Sequence, residues 1–192
     1  MINEQLKDEI KGLYYSFFNS LDIDEYSGEF KNNSQKIKFA TYPYIGDKYG
    51  NASKILIVGL DIGEDETSGY IQSLAERNNN LKDVHTDMNF HMGGTYFTAL
   101  YLLKEELGYT EFYDRVKDKT IFNTIIKRYI KELPDENPLD YIAQTNFYKY
   151  VSIGRKGRKG NFDRKFIDKQ KEVDLFINEL EIFNPDIIFF QS

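Results

Sequence analysis

The apolar and polar positions of this chain form blocks that predict helices and strands in alternation. Apolar residues at helical spacing predict helices over residues 4–19, 95–106, 121–133 and from Asn161 or Asp163 to Phe183. Apolar runs predict strands that are buried on both faces at residues 54–59 and 187–190, and a segment of mixed apolar and polar residues indicates a further core strand near 141–147. Strands that are separated by helices are typical of a parallel sheet with helices on both faces. The sequence therefore predicts an α/β fold with three layers (αβα) and a central, mainly parallel sheet.

The segments between these blocks add smaller elements but no second domain. Residues 20–53 are rich in Asn, Gly, Ser and Asp, and a short irregular strand is expected within 36–44. A weaker pattern indicates a helix over 67–77, and residues 81–95 have the composition of a loop. At this length we expect a single domain over residues 1–192, in which residues 1–53 pack on a core formed by 54–192.

Composition narrows the chemistry that the chain can perform. It has no cysteine, which excludes disulfides, cysteine-ligated iron–sulfur clusters and a thiol nucleophile. No apolar run reaches the roughly 20 residues of a membrane span, and the first ten residues lack the apolar centre of a signal peptide. These features predict a cytoplasmic protein that does not bind membranes.

The net charge of −6 is unevenly distributed. Residues 149–171 carry nine Lys or Arg and two Asp, a balance of +7, and the rest of the chain has a balance of −13. A concentrated basic segment in an acidic protein suits binding to a polyanion, although a solvated helix face with a basic loop explains it equally well.

The clearest chemical signal is the end of the first strand. Residues 55–58 are apolar without alternation, and they run into Gly59-Leu60-Asp61-Ile62-Gly63. Asn146 and Gln191–Ser192 end the next two predicted strands. Because open α/β sheets bind ligands outside the carboxyl ends of their strands, these three strand ends are expected to face one crevice.

The same residues resemble the motifs of the uracil-DNA glycosylase superfamily. Residues 57–63 resemble its first motif, a strand that leads into Gly-x-Asp-Pro or Gly-x-Asn-Pro. Residues 143–147 are similar to its second strand, whose terminal Asn reads the base, and residues 184–190 to the strand before the last active-site loop. The three segments follow the family's order and rough spacing, over about residues 50–192.

The resemblance implies a DNA repair enzyme that hydrolyses the N-glycosidic bond of uracil or another modified base without a cofactor. Asp61 would position the hydrolytic water and stabilise positive charge on the sugar, and Asn146 would hydrogen-bond the edge of the flipped base. Backbone groups of Leu60 and Ile62 would line the base pocket. Without a motif match, further base contacts are expected from Phe90, Tyr96 and His91.

The basic segment predicts where the phosphates of DNA bind, whether the DNA is single-stranded or a duplex with a flipped base. It begins just past Asn146, and its glycines alternate with cations in a flexible loop. Such a loop gives salt-dependent affinity without sequence preference. The expected phosphate contacts are Lys149, Arg155, Lys156, Arg158, Lys159 and Arg164.

Two features depart from the family's pattern. Ile62 stands where the family usually has Pro, and the further strand and His-containing loop expected after residue 190 are missing. The chain is therefore predicted to be a degenerate or C-terminally truncated relative. The edge of its 187–190 strand would stay uncovered, which favours pairing with another chain.

Two other functions remain open on the sequence alone. A catalytically inactive nucleic-acid or nucleotide-binding module on the same fold agrees with the missing His loop. A metal-dependent α/β hydrolase would use Asp61 with the acidic residues at 64–66. His85 and His91 match no strong metal-binding spacing, so no metal is predicted.

Overall fold

The computed structural model describes residues 2–31, 37–60, 71, 74, 90–117, 136–152 and 167–191. The helices of this part are α1 (Ile2–Leu21), α2 (Phe90–Leu103), α3 (Thr110–Val116) and α4 (Lys169–Phe183). The strands are β1 (Ile37–Phe39), β2 (Tyr44–Ile45), β3 (Ile55–Gly59), β4 (Ile142–Asn146), β5 (Tyr150–Ser152) and β6 (Ile187–Gln191). A 3₁₀-helix, Pro138–Tyr141, leads into β4.

Four of these strands form the main sheet, in the order β2-β4-β3-β6. β3 runs parallel to both of its neighbours, so that Ile55 lies opposite Ile142 on one side and Ile187 on the other. β2 is antiparallel to β4. β1 and β5 form a separate antiparallel pair. The three predicted core strands are confirmed, and the main sheet is mixed with three parallel strands.

Helices cover both faces of β3, because its side chains alternate between two cores. Leu56 and Val58 belong to the core that contains buried residues of α1 and α4. Ile55 and Ile57 belong to the core that contains α2 and the 3₁₀-helix. The described part is therefore a mixed α/β structure with a helical layer on each side of the sheet.

α1 supplies many of the aromatic side chains of the first core. Its inner face carries Ile10, Tyr14, Phe17 and Phe18, which recur at helical spacing and are all buried. Phe18 packs edge-on against Phe39 of β1, with ring centroids 4.9 Å apart. α1 also packs against α4, so the N-terminal helix forms part of the layer on this face.

Several element boundaries differ from the prediction. α2 begins at Phe90 rather than at residue 95, so the loop predicted for 81–95 is wrong over its last six residues. Gly94 lies inside this helix where a Cβ would approach Gln191 Nε2 to 2.8 Å. This glycine allows the helix to pack closely on a strand end. Because glycine is also typical of loops, the sequence pattern did not distinguish a helix from a loop here.

α4 begins later than predicted. Its first residue is Lys169, and the Asp168 side chain caps it by accepting hydrogen bonds from the backbone N–H groups of Gln170 and Lys171. The proposed caps Asn161 and Asp163 lie outside the described residues. The predicted helix over 121–133 lies outside them too, as does most of the helix over 67–77. α3 and β5 were not predicted.

The prediction that the 187–190 strand is buried on both faces is wrong. Its four apolar side chains are between 37% and 66% exposed. The reason is its position, because β6 is an outer strand of the main sheet and has only β3 as a neighbour among the described strands.

In the described part of the chain, no helix is both long enough and apolar enough to cross a membrane.

Candidate functional site

The order of the strands changes direction at β3. From β3 the chain first reaches β4 on one side, through a connection that includes α2, and later reaches β6 on the other side through α4. α2 and α4 cover opposite faces of the sheet. In open α/β sheets such a reversal marks the ligand site, just outside the carboxyl end of the strand at which it occurs. Here that end is Gly59 and Leu60, and Asp61 follows in the sequence.

Three strand ends lie side by side at this edge. Gly59 is opposite Asn146 of β4 and opposite Gln191 of β6. Two primary amides therefore flank one glycine, and their Cα atoms are about 10 Å apart, since neighbouring strands are about 4.8 Å apart. The sequence-based expectation that these three strands end together is confirmed.

Gly59 is required by the side chain of Asn146. A Cβ at position 59 would overlap with the Asn146 Oδ1 atom. The half-buried Asn146 amide thus occupies the space that a side chain at 59 would need. Each amide offers both donors and an acceptor, which suits recognition of a planar polar group such as the edge of a nucleobase.

The other amide is held by α2. The Thr95 hydroxyl donates to Gln191 Oε1 over 3.2 Å, and the Gln191 Nε2 group lies next to Gly94. Thr95 is buried and Gln191 is partly exposed. The start of α2 is therefore fixed against the end of β6, one strand away from Gly59.

The backbone that leaves β3 is tied to the backbone that leaves β4. Phe147 N–H donates to the Gly59 carbonyl over 2.8 Å, and Tyr148 N–H donates to the Leu60 carbonyl over 2.9 Å. The Leu60 side chain is exposed beyond the strand end. These bonds hold residue 60 beside the end of β4, while its predicted contact with a base stays a prediction.

A network of buried polar side chains holds the residues just before and just after Asn146. Glu179 of α4 accepts hydrogen bonds from Thr145 Oγ1 over 3.0 Å, from Lys149 Nζ over 2.5 Å and from the Tyr14 hydroxyl. Glu172, also on α4, accepts from Lys149 N–H over 2.7 Å. The network joins α1, α4 and the end of β4, and it fixes the residues on either side of the Asn146 turn.

Burial controls the protonation of this network. Loss of water lowers the pKa of the Lys149 ammonium, and the attraction of Glu179 opposes that shift. Burial raises the pKa of the Tyr14 hydroxyl, and the nearby Glu179 carboxylate raises it further. The sequence held one signal for this network, since Glu172 and Glu179 lie on the same helical stripe as the buried Leu175, a position that normally takes apolar residues.

Two of the predicted contacts with DNA are wrong. Lys149 is almost fully buried and its ammonium bonds to Glu179, so it is not placed to contact a phosphate. Tyr96 lies in the core between α2 and the sheet, where its ring packs edge-on against Phe97 with centroids 5.4 Å apart. Because Tyr96 has no exposed surface, its ring is not available for stacking on a base.

The remaining predicted site residues stay predictions. Phe90 and His91 begin α2, but their side chains lie outside the described part. Asp61 and Ile62 also lie outside it. The same holds for the predicted phosphate contacts Arg155, Lys156, Arg158, Lys159 and Arg164.

The described residues contain no group of three or more His, Cys, Asp or Glu side chains that is arranged to hold a metal ion. His85 and residues 64–66 lie outside this part of the chain.

Comparisons of the chain with protein-family models, with curated proteins and with solved structures found no match. The strand ends and the motifs at 57–63, 143–147 and 184–190 are therefore the features that bear on function.

Proposed function

We propose that this chain is a DNA glycosylase-like protein that hydrolyses the N-glycosidic bond of uracil or another modified base. The observation that carries the proposal is the meeting of Gly59 and Asn146 at the point where the strand order reverses. The glycine leaves room for the amide, and the first residues after β3 include a carboxylate, Asp61. An amide at the end of β4 and a carboxylate two residues past β3 in the sequence are groups that this reaction uses.

The amide of Asn146 recognises the base. A flipped base presents donors and acceptors on its Watson–Crick edge, and one carboxamide satisfies one of each. The backbone bonds between residues 59–60 and 147–148, together with the network around Glu179, hold the end of β4 in place. A fixed amide loses little conformational freedom on binding, which favours a selective pocket.

The carboxylate of Asp61 promotes the bond cleavage. Water attacks C1′ of the sugar, the C1′–N bond breaks, and its electron pair leaves with the base. Asp61 accepts a proton from the attacking water and stabilises the positive charge that develops on the sugar. The departing base carries negative charge, which donors such as the Asn146 amide stabilise.

DNA is held through the cations at residues 155–164, which follow β5 in the sequence. Their contacts are with phosphates, so binding weakens as salt rises and shows little sequence preference. The burial of Lys149 removes one cation from this group. Access to the base comes from flipping, which costs a few kcal/mol in a duplex and less in a single strand.

The test is a base-release assay on single- and double-stranded oligonucleotides that contain uracil, hypoxanthine or alkylated bases. It uses the longest natural form of the chain. Asp61→Asn is expected to lower base release by about 100-fold or more while DNA affinity changes by less than about threefold. Asn146→Ala is expected to lower base release for the preferred base most strongly, because it removes the group that reads the base edge.

Asn51→Ala is the matched control, because Asn51 is exposed and precedes the amino end of β3, away from the carboxyl end at Gly59. It is expected to leave both base release and DNA affinity unchanged. Salt-dependent DNA binding without base release from any substrate would contradict the enzymatic function and favour the binding module. Absence of both would contradict the proposal as a whole.

A further inference from the structure

The two amides at the strand ends lie on the same face of the main sheet. Ile55 and Ile57 of β3 face the α2 core, so Gly59, two residues further on, faces the same side. Asn146 and Gln191 both pair with Gly59, and residues that pair across parallel strands share a face. Both amides therefore lie on the α2 side, and they flank a strand end that has no side chain of its own.

Each of these amides occupies room that a glycine leaves. A Cβ at Gly59 would overlap with Asn146 Oδ1, and a Cβ at Gly94 in α2 would lie 2.8 Å from Gln191 Nε2. Both amide side chains are half-buried. The two glycines let the backbones of β3 and α2 approach the polar ends of the amides, which a larger residue would prevent. The backbone at this end of the sheet is therefore shaped around two amide groups.

Thr95 determines how the Gln191 amide is oriented. The Thr95 hydroxyl donates to Gln191 Oε1 over 3.2 Å, which leaves Nε2 as the donor that a ligand can use. Within the described part of the chain, the Gln191 side chain makes no other hydrogen bond, and the Asn146 side chain makes none. A few convergent polar groups that are partly withdrawn from water and lack a protein partner are typical of a ligand site.

We propose that Gln191 is a second residue that recognises the base, and that its Nε2 group donates to a carbonyl oxygen. This inference rests on the proposed function, because the base enters the crevice between Asn146 and Gln191. The Asn146 carboxamide pairs with an N–H group of the base and with one neighbouring carbonyl group. Gln191 donates to the carbonyl group on the other side of that N–H. The two amides together select bases with an imide edge, in which an N–H group lies between two carbonyl groups.

Xanthine and hypoxanthine show what the second amide contributes. The two purines differ in one carbonyl group, and only xanthine has an imide edge. With hypoxanthine, Gln191 Nε2 meets a C–H group and stays without an acceptor, which lowers affinity because a donor has lost its water without gaining a partner. Uracil has an imide edge as xanthine does. We therefore expect uracil and xanthine to be preferred over hypoxanthine.

Thiouracils test the two carbonyl contacts without altering the contact residues. Sulfur is a weaker acceptor than oxygen, so 2-thiouracil and 4-thiouracil each weaken one contact. The probes are single-stranded oligonucleotides with one such base, and the longest natural form of the chain carries Asp61→Asn so that base release does not consume them. Preference is the affinity relative to the same oligonucleotide with an abasic site, which cancels the phosphate contacts. Each thio substitution is expected to lower the preference about three- to tenfold relative to uracil, and hypoxanthine relative to xanthine by a similar factor.

Variants of Gln191 assign one carbonyl contact to this side chain. Gln191→Leu removes the donor and is expected to abolish the loss caused by one of the two thiouracils, while the loss caused by the other remains. Gln191→Glu keeps the shape but puts an acceptor in place of the donor, so the preference for uracil should fall at least about tenfold. Thr95→Val frees the amide and should act in the same direction, whereas Thr95→Ser should restore the parent preference. Gln5→Leu, at an exposed amide on α1, is the matched control and should leave all preferences unchanged.

The outcomes separate this inference from the proposed function. If Gln191→Leu weakens all bases equally, or leaves the losses caused by both thiouracils in place, Gln191 only joins β6 to α2 and the inference is overturned. Circular dichroism shows whether each variant is folded, and the absence of either loss in the parent chain overturns the inference without any variant. Base release whose preference the Gln191 variants do not change contradicts this inference and leaves the proposed function intact. A preference for uracil that depends on Gln191, without release of any base, contradicts the enzymatic function and supports this inference, and no preference for any base contradicts both.

Discussion

Lys149 Nζ lies 2.5 Å from Glu179 Oε2, and the two side chains are only 2% and 0% exposed. Thr145 and Tyr14 also donate to the Glu179 carboxylate, so the ion pair is part of a satisfied network. A buried ion pair contributes little net stability over apolar residues, but removal of one partner leaves an uncompensated charge. The pair therefore determines how the end of β4 is held against α4.

Lys149→Met is expected to lower the free energy of unfolding by about 3 to 5 kcal/mol, because Glu179 keeps a buried charge without its partner. The double variant Lys149→Met with Glu179→Leu is expected to be more stable than this single variant. Urea unfolding followed by circular dichroism measures both. Lys117→Met, at an exposed ion pair with Asp114, serves as the control and should shift stability by less than about 0.5 kcal/mol. A single-variant loss as small as that of the control would show that the buried pair is not formed.

Stability is expected to fall steeply as pH rises above about 10. Burial raises the pKa values of the hydroxyls of Tyr14, Tyr42, Tyr44, Tyr49 and Tyr96. Above their ordinary pKa, the unfolded chain releases protons that the folded chain retains, so each such group stabilises the fold below pH 10 and loses that contribution above it. The lowered pKa of Lys149 has the opposite effect on stability. At pH values between this lowered pKa and the ordinary pKa of lysine, the folded chain has lost a proton that the unfolded chain keeps, so stability rises with pH.

Tyr44→Phe separates this titration from other effects of alkali. The variant removes one ionisable group, and the slope of unfolding free energy against pH should become shallower by about 1.4 kcal/mol per pH unit above pH 10. The part of the tyrosinate absorbance that comes from the buried hydroxyls should rise together with the loss of circular dichroism. Ionisation of all tyrosines before any loss of structure would contradict the prediction.

Gly59→Ala and Gly12→Ala are expected to have opposite effects. A Cβ at 59 overlaps with Asn146 Oδ1, so the first variant should lose about 1 to 3 kcal/mol of stability and displace the amide. Nothing lies within 4 Å of a Cβ at Gly12 in the interior of α1, where Ala is expected to add about 0.5 to 1 kcal/mol. Thermal unfolding of the two variants measures the difference. Equal effects at both positions would contradict the close approach of Asn146 to β3.

The beginning of α4 depends on the Asp168 side chain. Asp168→Ala removes an acceptor for two backbone N–H groups and is expected to cost about 0.5 to 2 kcal/mol. Asp168→Asn retains the acceptor and should stay close to the parent chain. Chemical unfolding of the two variants tests whether the helix starts here. A loss of equal size in both would indicate that charge rather than capping matters.

Local patterns predicted the strands well. The apolar run that became β3 was recognised without tertiary information, as was the mixed segment that contains β4, and their ends at Gly59 and Asn146 were anticipated. The alternation of strands and helices also predicted helical layers on two faces of the sheet. These features follow from residues that are close together in the sequence, which is why the sequence was sufficient for them.

The surroundings of individual side chains were harder to predict than the helices and strands. Lys149 belongs to a run of cations in the sequence, but its ammonium is buried because Glu179, 30 residues away, lies on the inner face of α4. Gly94 looked like part of a loop, but it lies in a helix that approaches Gln191. Neither partner can be identified from local composition.

The sequence by itself determined where the three parallel strands of the main sheet run and which residues stand at their carboxyl ends, because backbone preference and apolar periodicity act over a few residues. Tertiary structure alone decided which of the apolar strands are buried on both faces. The apolar run of β6 is as continuous as that of β3, yet one strand is exposed and the other buried, because burial depends on the neighbours on each side. The same reason explains the burial of Lys149, since its charge is visible in the sequence and the position of its partner Glu179 is not.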